Sequence, residues 1–430
     1  MKINNIPNSL FVKNRALLLQ QLPNNSVVFF TANELMPRNG DQFFPFRQQS
    51  DFFYLTGIEA DNAYLIIGKK YNGAPIEILF IEDYNFHKAI WQGAMLDSKE
   101  ATDISGIIDV RYSSTFDNAA KDIVWQNNSV IYLNDYEYPG YNCPIDTIQK
   151  RFIKKIRGLF PLNSYSRIAP ILNELRMTKS QEELSLIQHA CKITKKAFDR
   201  CLQTVRPNRY EYEIQAEIEY VFKLNNANGH AYHPIIAGGK NACCLHYSKN
   251  NDILRDGDLL LFDIGCEYKN YSSDLSRTIP INGIFTPRQK ECYNAVLRVM
   301  KEITSMYRPG ATIDEINKAT YHLMEKEMIA LGLFSDDDVR NQHPDRPLYR
   351  NFLMHGISHH IGLDVHDSVD KLHSLEPGMV LTCEPGLYIQ EENIGIRIEN
   401  DLLITDDEPV NLFENVPIEV DEIEDAMHCE

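Results

Sequence analysis

Four acidic residues in the second half of the chain lie at the ends of apolar segments or inside them. Asp263 follows the segment LLLF, and Asp274 comes 11 residues later. Glu384 follows the run VLTC and precedes a Pro-Gly pair, and Glu399 follows the alternating isoleucines of IGIRI. Because an unpaired charge inside a protein core costs several kcal/mol, these positions predict a cation close to the carboxylates.

The segment between the two aspartates predicts a β-hairpin with Lys269 and Asn270 as its turn residues. This register places Gly265 opposite Asp274, and side-chain alternation makes Asp263 and Asp274 diagonal neighbours on one face. The missing side chain of Gly265 leaves space between them. The two carboxylates could therefore share a cation, although two aspartates on a hairpin are more often a solvated face.

A histidine-rich segment, MHGISHHIGLDVHD, contains His355, His359, His360 and His366. These imidazoles could be satisfied core and surface groups, or one of them could join the acids as a ligand. Four carboxylates and one imidazole form an oxygen-rich ligand set that suits manganese, cobalt or iron better than a structural zinc. Bridging carboxylates can hold two divalent ions about 3.5–4 Å apart, as in two-metal hydrolysis.

The whole chain sets limits on where these residues can act and on what. Its 430 residues, of which 43% are hydrophobic, are enough for two or three domains. The net charge of -17 argues against nucleic acid as the main partner. Nine scattered cysteines without a CxxC pair favour the reducing cytoplasm. No apolar run reaches the ~18 residues of a membrane span, so we expect no membrane partner.

The element pattern predicts an α/β domain over residues 1–171 and a second domain over residues 172–430. In the first, strand-like segments such as SVVFFTA and AYLIIG alternate with short helices, and no catalytic group of residues stands out. In the second, Ser180 and Glu183 have the spacing of a helix capping box. Helices then alternate with β-hairpins, which is typical of an α+β fold.

Four motifs in this order and spacing resemble those of the metallopeptidases of the pita-bread fold. They are DIGCEYKNYSSDLSRT, HGISHHIGLDVHD, CEPGLYI and GIRIEND. Within that fold the chain is most similar to bacterial aminopeptidase P, the Xaa-Pro aminopeptidase. RQQSDFFYLTGIEADNAYLIIG resembles the N-terminal domain of that family, and LNELRMTKSQEEL resembles its entry into the catalytic domain.

The resemblance implies a C-terminal pita-bread catalytic domain behind an α/β N-terminal domain. It implies an enzyme that releases the first residue from peptides with proline in second position and that assembles as a homo-oligomer, a dimer or a tetramer. The N-terminal domain would serve assembly and access to the active site. A hydroxide that bridges two divalent ions, most simply manganese, would attack the peptide carbonyl.

The resemblance also implies which residues hold the two ions. Asp274 and Glu399 would bridge the ions, Asp263 would bind one of them, and His359 with Glu384 would bind the other. Glu384 would in addition act as a proton acceptor.

Further residues match family positions around the substrate. His246, His355 and His366 match histidines that surround the substrate and steady the tetrahedral intermediate, and Tyr232 matches a tyrosine near the substrate end. Arg397 matches an arginine that orients the bridging acids from behind the metal site. His360 departs from the family, which usually has a large aromatic residue there, and we expect this change to affect substrate preference more than the metal site.

Three other functions stay open at this stage. A prolidase shares all five ligands but cleaves only Xaa-Pro dipeptides, and the serine before His359 leans toward the aminopeptidase. Methionine aminopeptidase shares the ligand set but normally lacks a long α/β domain in front. A metal-free peptide-binding module is the third alternative, but relatives of that kind lose ligands, whereas this chain keeps all five.

Overall fold

The computed structural model describes residues 6–127, 129–137, 143–367 and 370–428. The chain divides into two compact units, Met1–Arg176 and Met177–Glu430. The boundary that the sequence predicts, between residues 171 and 172, lies inside the helix Ala169–Met177, so the division by contacts falls five residues later.

The first unit is built on one mixed sheet of six strands, in the order β6-β5-β4-β1-β7-β8. The two central pairs, β1 with β4 and β4 with β5, are antiparallel, and the outer pairs are parallel. The described part of this unit has eight strands, of which β2 and β3 form a separate pair. They are β1 (Ser26–Thr31), β2 (Pro37–Asn39), β3 (Gln42–Phe43), β4 (Tyr64–Lys69), β5 (Pro75–Ile81), β6 (Val110–Tyr112), β7 (Val130–Leu133) and β8 (Tyr165–Arg167). Its helices are α1 (Asn8–Gln21), α2 (Ser50–Thr56), α3 (Phe86–Gln92), α4 (Ser98–Ser105), α5 (Phe116–Asn127), α6 (Ile148–Leu159) and α7 (Ala169–Met177).

Apolar packing and one buried ion pair hold this unit together. All six residues of β1 are buried, as the continuous apolar run predicts for a central strand that is covered on both faces. Phe29 and Phe116 pack with their ring centroids 6.0 Å apart in the core. Asp51, at the start of α2, receives hydrogen bonds from Arg176 (2.7 Å) and from Asn134 (2.9 Å), which ties α2 to the end of the unit.

The second unit surrounds several small antiparallel sheets with longer helices. Ser180 and Glu183 form the predicted capping box at the start of α8, and Leu184 and Ile187 lie on its buried face. Within the described ranges, no helix is both long enough and apolar enough to span a membrane. The helices are α8 (Gln181–Thr204), α9 (Glu211–Leu224), α10 (Pro287–Thr304), α11 (Ile313–Ala330), α12 (Asp336–Asn341) and α13 (Val420–His428).

The strands of the second unit form three sheets of three strands, β10-β11-β14, β13-β12-β9 and β15-β18-β19, and the pair β16-β17. Their bounds are β9 (Gly229–His230), β10 (Ile235–Gly238), β11 (Leu259–Ile264), β12 (Cys266–Tyr268), β13 (Tyr271–Ser272), β14 (Leu275–Pro280), β15 (Val380–Cys383), β16 (Gly386–Ile389), β17 (Ile394–Arg397), β18 (Asn400–Leu403) and β19 (Val410–Asn411). Many of these strands are only two to four residues long, so loops connect short strands throughout this unit.

The predicted hairpin is confirmed. Lys269 and Asn270 have φ angles of 50° and 69°, which is the conformation of a two-residue turn with both φ values positive. Tyr268 faces Tyr271, and the same register continues from β12 and β13 into the pairing of β11 with β14. Gly265 therefore lies opposite Asp274 at the junction between the two strand pairs.

Gly265 can be replaced only with strain. A Cβ atom at this position would lie 2.0 Å from the carbonyl oxygen of Ser273 and 2.6 Å from a ring carbon of Tyr232. We expect Gly265→Ala to lower the free energy of unfolding by about 1–3 kcal/mol, as overpacking does. Gly158→Ala in α6 is the control, because nothing lies within 4 Å of the added Cβ. Denaturant unfolding measures both variants, and an unchanged midpoint for Gly265→Ala would contradict the packing described here.

Candidate metal centre

The four candidate acids lie where strands of the second unit end or begin. Asp263 is the fifth residue of β11, and Asp274 directly precedes β14. Glu384 directly follows β15, and Glu399 directly precedes β18. The backbone N–H of Glu399 donates to the carbonyl of Ser276 at 3.0 Å. Ser276 belongs to β14, so the backbone at Glu399 is bonded to the strand that directly follows Asp274.

Hydrogen bonds fix both the backbone and the ring of His359. Its N–H donates to the hydroxyl of Thr382 (3.2 Å), and its carbonyl accepts from the N–H of Thr382 (2.9 Å). The ring Nδ1 lies 3.2 Å from the carbonyl of His360, which can only accept, so Nδ1 carries the hydrogen. The lone pair of Nε2 then faces Asp274 Oδ2 at 3.7 Å and Glu384 Oε1 at 3.8 Å.

The structure brings all five predicted ligands into one cluster. Asp274, His359 and Glu399 each offer a ligand atom, and these atoms lie within 4.8 Å of one another. Asp263 joins them through Tyr232, whose hydroxyl oxygen is 2.6 Å from Asp263 Oδ1 and 2.5 Å from Asp274 Oδ1. With Glu384 beside the imidazole of His359, four carboxylates and one imidazole face the same space.

The cluster carries an excess of negative charge for so buried a place. Burial, together with the neighbouring carboxylates, raises the pKa of Asp274 and of Glu399 well above the usual range. Burial raises the pKa of Glu384 to about 8, and it lowers the pKa of His359 to about 3, so that this imidazole is neutral. A neutral imidazole among hard oxygen donors is a ligand set that fits divalent cations, which would balance the excess charge.

The guanidinium of Arg397 is bonded directly to one carboxylate of this cluster. It is buried, and its Nη2 lies 2.5 Å from Asp263 Oδ2. Its Nε donates to Ser276 Oγ (2.9 Å), which in turn donates to Glu399 Oε2 (2.6 Å). Arg397 was predicted to orient both bridging acids. It contacts Asp263 directly and reaches Glu399 through the serine, and no hydrogen bond to Asp274 is found among the described residues.

Tyr232 was predicted to border the substrate, but its hydroxyl lies among the candidate metal ligands. Its hydroxyl reaches two candidate ligands, Asp263 and Asp274. The ring occupies the space that the absent side chain of Gly265 leaves open, because a Cβ there would be 2.6 Å from the ring. One hydroxyl hydrogen cannot satisfy two carboxylates, so the second short contact requires a proton on one of the acids or a cation beside them.

Three of the predicted histidines form one side of the site. His355 donates from Nδ1 to the carbonyl of Gly356 (2.7 Å), and its Nε2 accepts from the hydroxyl of Tyr388 (2.9 Å). The ring of His366 packs edge-to-face on the ring of His359, with centroids 4.4 Å apart. Burial, with a further contribution from the exposed His246, lowers the pKa of both His355 and His366. The chain neighbours of His246, Leu245 and Tyr247, pack against the apolar cluster that contains Tyr388.

His360 does not belong to this group. Its side chain is 0% exposed, and neither ring nitrogen has a hydrogen-bond partner in the part of the chain that the structure describes. It lies near the buried ion pair between Lys179 and Asp367, whose atoms are 3.0 Å apart. A side chain enclosed in this way offers no surface to a substrate, so the departure from the family at this position concerns internal packing.

Sequence reasoning missed two residues of the site, Ser276 and Tyr388. Ser276 bonds Arg397 and Glu399, and Tyr388 accepts from Arg397 Nη1 at 2.8 Å while it donates to His355. Ser276 comes two residues after Asp274, so strand alternation could have found it. The role of Tyr388 depends on contacts between separate strands and had no local signal.

The fold and the site define a metallopeptidase, and comparison with known proteins agrees. A family model for metallopeptidase family M24 matches residues 185–406, and a model for the aminopeptidase P N-terminal domain matches residues 11–132. The chain belongs to metallopeptidase family M24, and it is a hydrolase, a metal-dependent aminopeptidase. The expected α/β N-terminal domain, followed along the chain by a pita-bread catalytic domain, is confirmed.

The particular relatives are aminopeptidases P. The chain is 35% identical to the Xaa-Pro aminopeptidase of Escherichia coli over 96% of each chain. A zinc-substituted Escherichia coli aminopeptidase P in complex with product superposes with a TM-score of 0.87 and 33% identity over 98% of each chain. The same enzyme with the inhibitor Pro-Leu superposes with a TM-score of 0.88, 33% identity and 98% coverage of each chain. The match to the N-terminal domain favours aminopeptidase P over prolidase and over methionine aminopeptidase.

Metal affinity should depend on pH because the acids of the metal-free protein hold protons. Glu384 has a pKa of about 8, and Asp274 and Glu399 are raised as well, so a cation must displace protons at neutral pH. We expect the apparent association constant for Mn²⁺ to fall as the pH is lowered from 8.5 to 6.5, by about tenfold per pH unit for each proton released.

Titration calorimetry in two buffers of different ionisation enthalpy measures the released protons directly. Asp407→Asn, a change at an exposed acid of the same unit, should leave the dependence as it is. An association constant that does not change with pH, with no proton release, would contradict the raised pKa values.

Proposed function

We propose that this enzyme removes the first residue of peptides whose second residue is proline, with two divalent cations, manganese in the cell. It works in the cytoplasm as a homo-oligomer, and neither nucleic acid nor a membrane is its partner. The convergence of four buried carboxylates and one neutral imidazole carries the proposal, because among the described residues no fixed positive charge other than Arg397 is bonded to these side-chain carboxylates.

Five side chains would hold the cations. Asp274 and Glu399 suit the bridging positions, because both are fully enclosed and each lies among the other acids. Bound divalent ions would activate a water molecule and polarise the scissile carbonyl. The remaining ligands are Asp263, His359 and Glu384.

Glu384 is the proton acceptor in this proposal. Its carboxylate lies between His359 (3.8 Å) and His355 (3.7 Å), so it borders both the proposed cation site and the histidine side. Without metal, burial raises the pKa of Glu384 to about 8, so this environment favours the protonated form. With cations bound, Glu384 would accept a proton from the attacking water and return it to the departing amine.

The histidine side of the site would bind the substrate. His246 and His366 are the two imidazoles that face the substrate in this proposal, and each can donate a hydrogen bond to the oxygen that gains charge during attack. His355 uses both of its nitrogens, on Gly356 and on Tyr388, so its part beside the substrate is to hold Tyr388 in place.

The relatives and the chemistry of proline support proline in second position. The Escherichia coli enzyme that this chain resembles over its whole length is an Xaa-Pro aminopeptidase, and a Pro-Leu complex of it is known. Proline has a fixed φ and no backbone N–H, so a pocket can require the shape of the ring and offer no acceptor for that hydrogen.

Assembly is proposed for the N-terminal unit, which would also restrict access to the site. Helix α3 has no buried residue, and it exposes Phe86, Ile90 and Trp91, the last with 86% of its surface. A short helix that exposes large apolar side chains is typical of a surface that another chain covers. This supports a homo-oligomer, a dimer or a tetramer.

Metal content tests the ligand set. Wild-type protein, reconstituted with manganese and dialysed against a weak chelator, should retain about two ions per chain. Asp274→Asn should lose both, since a bridging ligand serves each ion, whereas Asp407→Asn should keep both. A fully active enzyme with one ion or fewer per chain would rule out the two-metal arrangement.

Peptide hydrolysis tests the reaction itself. We expect cleavage of Xaa-Pro-Yaa peptides and longer chains, with rates on Xaa-Ala-Yaa lower on the order of 10²-fold because the pocket loses contact with the ring. Cleavage confined to Xaa-Pro dipeptides would identify a prolidase, and equal rates on the alanine peptide would remove proline from the proposal. Light scattering on the same sample measures the mass, and a monomer at assay concentration would contradict the assembly.

A further inference from the structure

Glu211 is a buried carboxylate outside the metal cluster that no role described so far explains. It is the first residue of α9, and it is 0% exposed. No ion pair to it is found within the residues that the structure describes. A carboxylate at this end of a helix is stabilised by the helix dipole, but a buried charge also needs direct hydrogen-bond donors.

Four donors from one loop supply those hydrogen bonds. Oε1 accepts from the N–H of Gly238 (2.9 Å) and from the side chain of Asn241 (3.0 Å). Oε2 accepts from the hydroxyl of Tyr247 (2.7 Å) and from the N–H of Asp252 (2.9 Å). Glu211 therefore holds the beginning, the middle and the end of the loop 238–252, which we call the Glu211 loop.

This loop carries His246, directly before Tyr247. Between β10 and β11 it contains only one 3-10 turn, Gly239–Cys243, so regular strand pairing does not determine where His246 lies. The apolar side chains of the loop pack against the strands, but His246 itself is exposed. Tyr247, the next residue after His246, is fixed by the hydrogen bond from its hydroxyl to Glu211 and by the bond from its N–H to the carbonyl of Cys244 (3.1 Å).

We infer that Glu211 is a positioning residue, whose carboxylate holds the Glu211 loop so that His246 stands beside His355 and His366. The inference rests on the proposed function, because the substrate-side role of His246 is part of that proposal. The chemistry requires a carboxylate, since only two oxygens with four acceptor sites can satisfy two N–H groups, an amide and a hydroxyl at once.

Glu211→Gln is the informative substitution, because it keeps the volume and half of the bonds. An amide has one oxygen, so its NH₂ group would face either the Tyr247 hydroxyl and the Asp252 N–H or the Gly238 N–H and the Asn241 amide. We expect turnover of an Xaa-Pro-Yaa peptide to fall by about tenfold, as a misplaced acid–base group would cause, while manganese content stays unchanged. Glu219→Gln, an exposed acid on the same helix, is the matched control.

A double-mutant cycle with His246→Ala separates positioning from a general effect on folding. His246→Ala alone should lower turnover by about 10²-fold. Glu211→Gln added to it should change turnover by less than about twofold, because the imidazole that Glu211 positions is gone. If Glu211→Gln does not fold, Tyr247→Phe removes one of the four donors and enters the same cycle.

Two results would overturn the inference, and they can be told apart. Equal losses from Glu211→Gln with and without His246 would show that Glu211 only stabilises the fold, and the role of His246 would stand. Wild-type turnover in His246→Ala would overturn the proposed role of His246 and, with it, the positioning role of Glu211.

Discussion

Burial of like charges is the constraint on which the catalytic unit depends. Four carboxylates and one imidazole share an enclosed space, and among the described residues Arg397 is the only guanidinium that bonds a side-chain carboxylate of this cluster. Removing a carboxylate from water costs several kcal/mol, and neighbouring carboxylates add repulsion. Protons or cations must therefore balance the negative charge of the carboxylates. Without protons or cations, the acids would have to be exposed to water.

The backbone makes this arrangement possible by presenting each acid from the end of a different strand. A strand end gives a side chain a fixed origin while the space in front of it stays open. The backbone of Asp274 is also fixed, since its N–H donates to the buried carboxylate of Asp401 (3.0 Å). The hydroxyl of Thr194, from α8, forms a hydrogen bond with the hydroxyl of Ser273 (2.8 Å), the residue before Asp274. Acids that repel each other can stay close because their backbones are held by such separate contacts.

The network behind the acids links the metal cluster to the substrate side. Arg397 contacts Asp263, reaches Glu399 through Ser276, and donates to Tyr388, which donates to His355. One guanidinium thereby orients groups in both parts of the site with donors of fixed geometry. A lysine could not replace it, because a single ammonium has no planar array of donors that could face three partners in these directions.

The sequence by itself determined the local features and, through the resemblance, the family. The hairpin from Asp263 to Asp274 was predictable in every pairing, because a two-residue turn with two positive φ angles sets the register of the strands beside it. The capping box at Ser180 and the apolar strand β1 were predictable for the same reason: their signals lie within a few neighbouring residues.

Only the tertiary structure decided which distant side chains meet. Tyr232 lies 31 residues from Asp263 in the chain, and nothing local says that its ring fills the space above Gly265. His360 stands next to a predicted ligand in the sequence, yet its ring is buried without a partner among the described residues. Contacts of this kind depend on the packing of whole elements, and local spacing cannot encode them because it describes only a residue's neighbours along the chain.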